Sequence, residues 1–314
     1  MLSMGPLVKY RLVTRSDFDG LVCAVLLRLL DLIDEITFVH PKDVQDGAVD
    51  VTPGDILTNL PYAPQAYLVF DHHHSEILRL AGIADNHVID SDAPSAARVV
   101  YNYFGGAERF PMVSEEFMAA VDQADSAAYD PVEILEPRGW VLLNFLMDSR
   151  TGLGRFRDFR ISNYQLMMQL IDACIRYQDA GQILALPDVA ERVDLYEAHT
   201  VRFTEQLRRV STLHGDVVVV DLRDEDVIYA GNRFLVYALF PQARVSIHII
   251  WGKQKLNTVL AVGKSIVDRT SPVDIGAVML KYGGGGHLAA GTCQVPHAES
   301  ERVIGEVIDA VRRP

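Results

Sequence analysis

Residues 66–74 read Ala66-Tyr67-Leu68-Val69-Phe70-Asp71-His72-His73-His74, an apolar run that ends abruptly in a carboxylate and three imidazoles. A short apolar run bounded by polar residues reads as a buried strand. The acid and the histidines then stand where that strand leaves its sheet. A second stretch has the same design. Tyr10-Arg11-Leu12-Val13-Thr14 reads as a strand, runs into Ser16-Asp17-Phe18-Asp19-Gly20, and is followed by a helical apolar pattern from Leu21 to Ile33. In open α/β sheets, ligands bind in the crevice outside the carboxyl ends of the strands. Two such ends carrying carboxylates and imidazoles point to a metal site for phosphate-ester chemistry.

Outward from these stretches the first half keeps alternating strands with helices, as an α/β sheet requires. Ile36 to His40, Ile56 to Asn59 and His87 to Asp90 read as strands, and Pro94–Phe104 and Ser114–Ala124 as helices. From Pro137 to Ala180 the pattern is helical, interrupted at Thr151-Gly152-Leu153-Gly154. Residues Asp188 to Leu213 read as one long charged helix. Beyond it Val217 to Val220, Arg244 to Trp251 and Leu256 to Val262 read as strands, with a helix over Asn232 to Ala238 and a last one over Ala298 to Val311. The expectation is an α/β protein in which an N-terminal parallel-sheet domain (1–187) is joined by a linker helix (188–213) to a smaller α/β domain (214–314).

The 314 residues suffice for two cores, and 49% apolar with 23% charged residues is ordinary for a globular protein. No run has the length of a membrane span, and the N-terminus lacks a signal-peptide design. Cys23, Cys174 and Cys293 are widely spaced and form no Cys-x-x-Cys pair, which predicts reduced thiols and a cytoplasmic protein. A net charge of −13 would repel a long polyanion, so small phosphorylated substrates suit it better than long duplex nucleic acid. The Leu- and Met-rich 137–180 segment fits either a homodimer interface or burial within one chain.

Asp17 and Asp19 bring two carboxylates into a tight turn, a costly arrangement without a cation between them. Helix capping by Ser16 or Asp17 is the competing explanation. His72 and His73 beside Asp71 add imidazole ligands suited to manganese. Asp125, with Asp122 a turn earlier, closes an acidic ring from a helix end. Late in the chain, Gly283-Gly284-Gly285-Gly286-His287 removes side-chain bulk so that backbone amides can approach a phosphate, with a following helix start favouring the anion. Lys264 is a second cation for that loop.

Taken together, these pieces resemble the DHH phosphoesterase superfamily with its DHH-associated C-terminal domain, which includes RecJ-type exonucleases, nanoRNases and related exopolyphosphatases. The resemblance implies a two-domain clamp, with catalysis on the first domain and recognition of the substrate's far end by the second. It implies Asp17, Asp19, His72 and Asp125 (or Asp122) as ligands for one or two Mn²⁺ or Mg²⁺ ions. His73 would contact the reacting phosphate or its water, and Asp71 would support His72. Gly284, Gly285, Gly286, His287 and Lys264 would form the distal phosphate site. Two positions depart from the pattern: Val13-Thr14-Arg15-Ser16 holds no histidine ahead of the first Asp, and Asn59 stands where many relatives carry a metal-bridging Asp. The site then holds one metal, or recruits Asp71, His74, His40 or Asp43. The leading expectation is a phosphohydrolase acting on a short oligonucleotide or nucleotide by metal-activated water. The alternatives are a nucleotide or phosphate sensor, and an exopolyphosphatase gripping its polyanion with Arg150, Arg155, Arg157 and Arg160.

Overall fold

The computed structural model describes residues 9–73, 76–77, 82–156 and 158–312, so His74 and Arg157 lie outside the described residues. The chain divides into two compact units. The first comprises the chain up to Ala128 with Arg138–Ser149 and Leu153–Val193; the second comprises Tyr129–Pro137, Arg150–Gly152 and the chain from Asp194 onward. The division falls inside the long helix rather than at either of its ends.

In the first unit, β1 (Tyr10–Arg15), β2 (Ile33–Val39), β3 (Asp55–Thr58), β4 (Leu68–Asp71) and β5 (His87–Ile89) form a five-stranded sheet in the order β2-β1-β3-β4-β5. Every pairing is parallel. Such sheets are covered on both faces, which is why Leu12, Val13, Ile56, Leu57, Val69 and Phe70 are fully buried on neighbouring positions rather than alternating. The order 2-1-3-4-5 reverses direction at β1/β3, and that switch point opens a crevice at the carboxyl ends. Helix α1 (Phe18–Leu29) leaves this end of β1, capped by the Asp17 side chain on the Gly20 amide, and is buried from Phe18 through Leu27. Helices α2 (Ala96–Tyr103), α3 (Glu115–Ser126), α4 (Gly139–Met147) and α5 (Asn163–Tyr177) also belong to this unit, with Ser95, Ser114 and Ser162 capping α2, α3 and α5.

Helix α6 (Pro187–Val210) stops three residues short of the predicted end. Ser211–His214 is instead strand β6, turned back by Gly215 (φ 70°) onto β7 (Val217–Asp221), because the hairpin pairs backbone groups that a frayed helix end leaves open. With β8 (Val245–Trp251), β9 (Thr258–Lys264), β10 (Gly285–His287) and β11 (Ala290–Val295) they form a six-stranded mixed sheet, β10-β11-β9-β8-β7-β6, in which only β7 and β8 run parallel. One face buries Val217, Val219, Val245, Ile247, Ile249, Leu260 and Cys293 against α7 (Ile275–Leu280) and α8 (His297–Val311). Cys23, Cys174 and Cys293 are free and buried. Among the described residues, no helix is long and apolar enough to cross a membrane.

Candidate metal centre and phosphate hairpin

The carboxyl ends of β1, β3 and β4 carry the predicted cluster. Asp19 is buried in the first turn of α1 and accepts hydrogen bonds from the first amides of α2, Ala97 at 2.7 Å and Ala96 at 3.1 Å. A helix N-terminus therefore orients this carboxylate. Burial first, then the charge of Asp125, pushes its carboxyl well above the usual range. His72 follows β4, with Nδ1 3.2 Å from the Ala93 carbonyl. As donor to that carbonyl, Nδ1 keeps its proton in either protonation state, so when the ring is neutral the lone pair falls to Nε2. Nε2 lies 3.0 Å from Oδ2 of Asp125, at the end of α3. Burial alone would lower the His72 pKa, but Asp125, Asp19 and Asp71 override it and hold it at about 9. The same partnership keeps Asp125 below the usual carboxylate range despite its burial.

One ligand atom from each of Asp19, His72 and Asp125 falls within 4.8 Å of the others. Two carboxylates and an imidazole nitrogen, largely withdrawn from water, match the donor set of a hard or borderline divalent cation. Two acceptors nearby point the same way. Oδ1 of Asn59 and Oδ2 of Asp71 are buried and accept no hydrogen bond among the described residues.

The other predicted residues take different places. Asp17 does not join the trio: it accepts from Gly20 N at 3.0 Å and Asn59 Nδ2 at 3.2 Å, and pairs with Arg15 Nε at 3.0 Å. Asp122 also stands apart, bound to Arg98 Nη2 at 2.6 Å and Ser95 Oγ at 2.7 Å, where it steadies the start of α2. Asp71 supports His73 rather than the His72 ring: its Oδ1 lies 2.7 Å from His73 Nδ1 and accepts from the His72 amide. The reason is reach, since both ring and carboxylate leave the same turn. His40 caps the short helix Pro41–Gln45 through Nδ1, and Asp43 is exposed in its first turn. Gly20 proves necessary for closeness rather than for unusual dihedrals, because a Cβ there would sit 2.0 Å from the Arg15 carbonyl oxygen.

The predicted helix start after the glycines does not form. Gly285–His287 is edge strand β10, exposed throughout, and the chain turns through Leu288 and Ala289 into β11. A Cβ on Gly284 would lie 2.1 Å from the Thr292 carbonyl, and one on Gly286 2.3 Å from that of Ala290. These glycines let the ribbon pack backbone on backbone. Gly285 alone of the three faces open space. His287 Nδ1 accepts from the Ala289 amide at 3.2 Å, and the Lys264 amide donates to the Ala289 carbonyl at 2.8 Å, so both residues belong to this turn. In the arginine group, Arg160 is engaged by Asp188 and Glu191.

No protein-family model matches the chain, and neither does any curated protein. Solved structures do. The pGpG-specific phosphodiesterase PggH of Vibrio cholerae shares 56% identity and a TM-score of 0.85, over 96% of this chain and 99% of that one. The chain belongs to the DHH phosphoesterase superfamily. A RecJ exonuclease bound to manganese (16% identity, TM-score 0.50, 98% of this chain and 91% of that one) shares the fold. So does CDC45 of Entamoeba histolytica (9%, 0.51, 96% and 95%). This DHH phosphoesterase is accordingly a hydrolytic enzyme, and neither the sensor nor the exopolyphosphatase alternative is favoured. The Ala96 and Ala97 amides, the Ala93 carbonyl and Arg15 are the site groups that sequence reasoning missed. Only the Ser95 cap ahead of α2 was a readable signal for the first two.

Proposed function

We propose that this phosphoesterase cleaves the phosphodiester of a short linear dinucleotide of the pGpG class, using a divalent cation, Mn²⁺ or Mg²⁺, held by Asp19, His72 and Asp125. The observation that carries the reading is the convergence of two carboxylates and one imidazole nitrogen within 4.8 Å at the switch point of the parallel sheet. The substrate class is supported by the 56% identity to a pGpG-specific enzyme and by the net charge of −13, which suits a short anion better than a long one.

A divalent ion in this setting lowers the pKa of a bound water and neutralises charge on phosphoryl oxygens. The chain's own groups do the rest. The Ala93 carbonyl fixes the His72 tautomer, and the two α2 amides fix Asp19, so the donors need no reorganisation when charge develops. His73, with Nδ1 held by Asp71, offers Nε2 to the reacting phosphate or to the proton of its water. We assign the second phosphate to the exposed Gly285–His287 edge of the hairpin, with the side chains of His287 and Lys264 supplying donors at the same turn.

The test is mononucleotide release from pGpG with Mn²⁺, run beside the cyclic dinucleotide, polyphosphate and the His72→Ala variant. Release from pGpG that the variant abolishes is expected. A folded wild-type protein that leaves pGpG intact would overturn the reading.

A further inference from the structure

We infer that Arg15 and Asn59 take the place of a second metal ion at Asp17, so that the chain works with a single divalent cation. The inference rests on the metal reading of Asp19, His72 and Asp125 given above. Asp17 and Asp19 are two residues apart, yet their carboxylates meet opposite fates. Asp19 shares the ligand cluster with His72 and Asp125. Asp17 is already served on both oxygens: Oδ1 takes the Gly20 amide at 3.0 Å and Asn59 Nδ2 at 3.2 Å, and Oδ2 takes Arg15 Nε at 3.0 Å. Asn59 Nδ2 also lies 3.4 Å from Oδ2.

The residue types make this arrangement self-consistent. An Asp at position 59 would set a second carboxylate against Asp17, and two such groups at hydrogen-bond distance must share either a proton or a cation. A neutral amide donates there instead. The guanidinium of Arg15, permanently charged, supplies the positive charge without a metal. Asn59 holds a left-handed backbone (φ 54°), a conformation that Asn tolerates better than most residues, at the end of β3 where its amide meets Asp17.

The experiment is Mn²⁺ stoichiometry on the full chain by calorimetric titration, with the electron paramagnetic resonance spectrum distinguishing an isolated ion from a coupled pair. Wild type is expected to bind one equivalent with an isolated-ion spectrum. The double variant Arg15→Ala/Asn59→Asp, checked for folding by its melting curve, is expected to gain a second equivalent and a coupled signal. Two coupled ions in wild type would overturn the inference while leaving the metal reading intact, and the wild-type count decides this even if the double variant fails to fold. A folded double variant that stays at one equivalent also overturns it. No binding by wild type would overturn both.

Discussion

The two regions assigned to the substrate are built from opposite materials. At the ends of β1 and β4 the working atoms are side chains, buried, charged and held by main-chain groups from elements far away in sequence. Asp19, for example, is fixed by amides 77 and 78 residues downstream. In the β10–β11 hairpin the groups proposed to work are main-chain amides on an exposed edge, and the glycines let two backbones touch. A site of the first kind fails when a charge is removed, and one of the second kind fails when a methyl group is added. That asymmetry is testable.

The largest effect is expected from the charged site. Asp19→Asn or His72→Ala should lower the metal-dependent rate by at least ~10²-fold, the scale for losing one preorganised charged group. Either should also abolish the rise in melting temperature on adding Mn²⁺, which for wild type is worth about 2.7 kcal/mol at a hundred times Kd. A variant that keeps both properties would break the comparison at its strong end. Asp71→Asn should cost less. It removes the charge that orients His73 and meets the three ligands only through the His72 main-chain amide, so the rate should fall about 10–100-fold with metal stoichiometry unchanged. If stoichiometry fell as well, Asp71 Oδ2 would have to be counted among the ligands.

The hairpin gives the contrasting pair. Gly284→Ala drives a methyl group into the Thr292 carbonyl and the Cys293 backbone, and should destabilise the protein by about 1–3 kcal/mol. Gly285→Ala meets nothing within 4 Å, and its stability change should stay within about 0.5 kcal/mol. If the amides of β10 grip a phosphate, Gly285→Ala should nonetheless raise KM for pGpG, with kcat and the melting curve little changed. An unaltered KM would leave the glycines a purely structural role.

The same contrast explains what could be read from the sequence. Strand ends are legible because a buried parallel strand must be continuously apolar, so Phe70-Asp71 and Thr14 to Asp17 announce where polar chemistry begins. The membership of the cluster is less legible. Asp17 and Asp19 have the same side chain and nearly the same position, and only the three-dimensional placement of Arg15 and Asn59 separates their roles. Asp122 and Asp125 differ likewise by one helical turn, and it is Arg98 and Ser95 that claim the first of them. The glycine run misled only about the element that follows it: a helix start was expected and an edge strand forms. A run of glycines does not distinguish those needed for a ligand from those needed for a neighbouring backbone.

The smallest and most discriminating effect concerns protons. In the metal-free protein the His72 pKa is raised from 6.5 to about 9, chiefly because Asp125 outweighs the cost of burial. A folded pKa above the unfolded one means the charged pair stabilises fully below about pH 6.5 and loses that contribution as pH climbs through about 9. Metal-free wild type should therefore melt at progressively lower temperature between those values, and Asp125→Asn should flatten the slope. Added Mn²⁺ reverses the sign of the argument. The cation needs the neutral imidazole, so its binding releases the His72 proton and its affinity should rise over the same interval. Opposite pH trends with and without metal would tie one nitrogen to both roles. Parallel trends would mean that His72 is a structural partner of Asp125 and not a ligand, leaving two carboxylates that could hold a divalent ion only weakly.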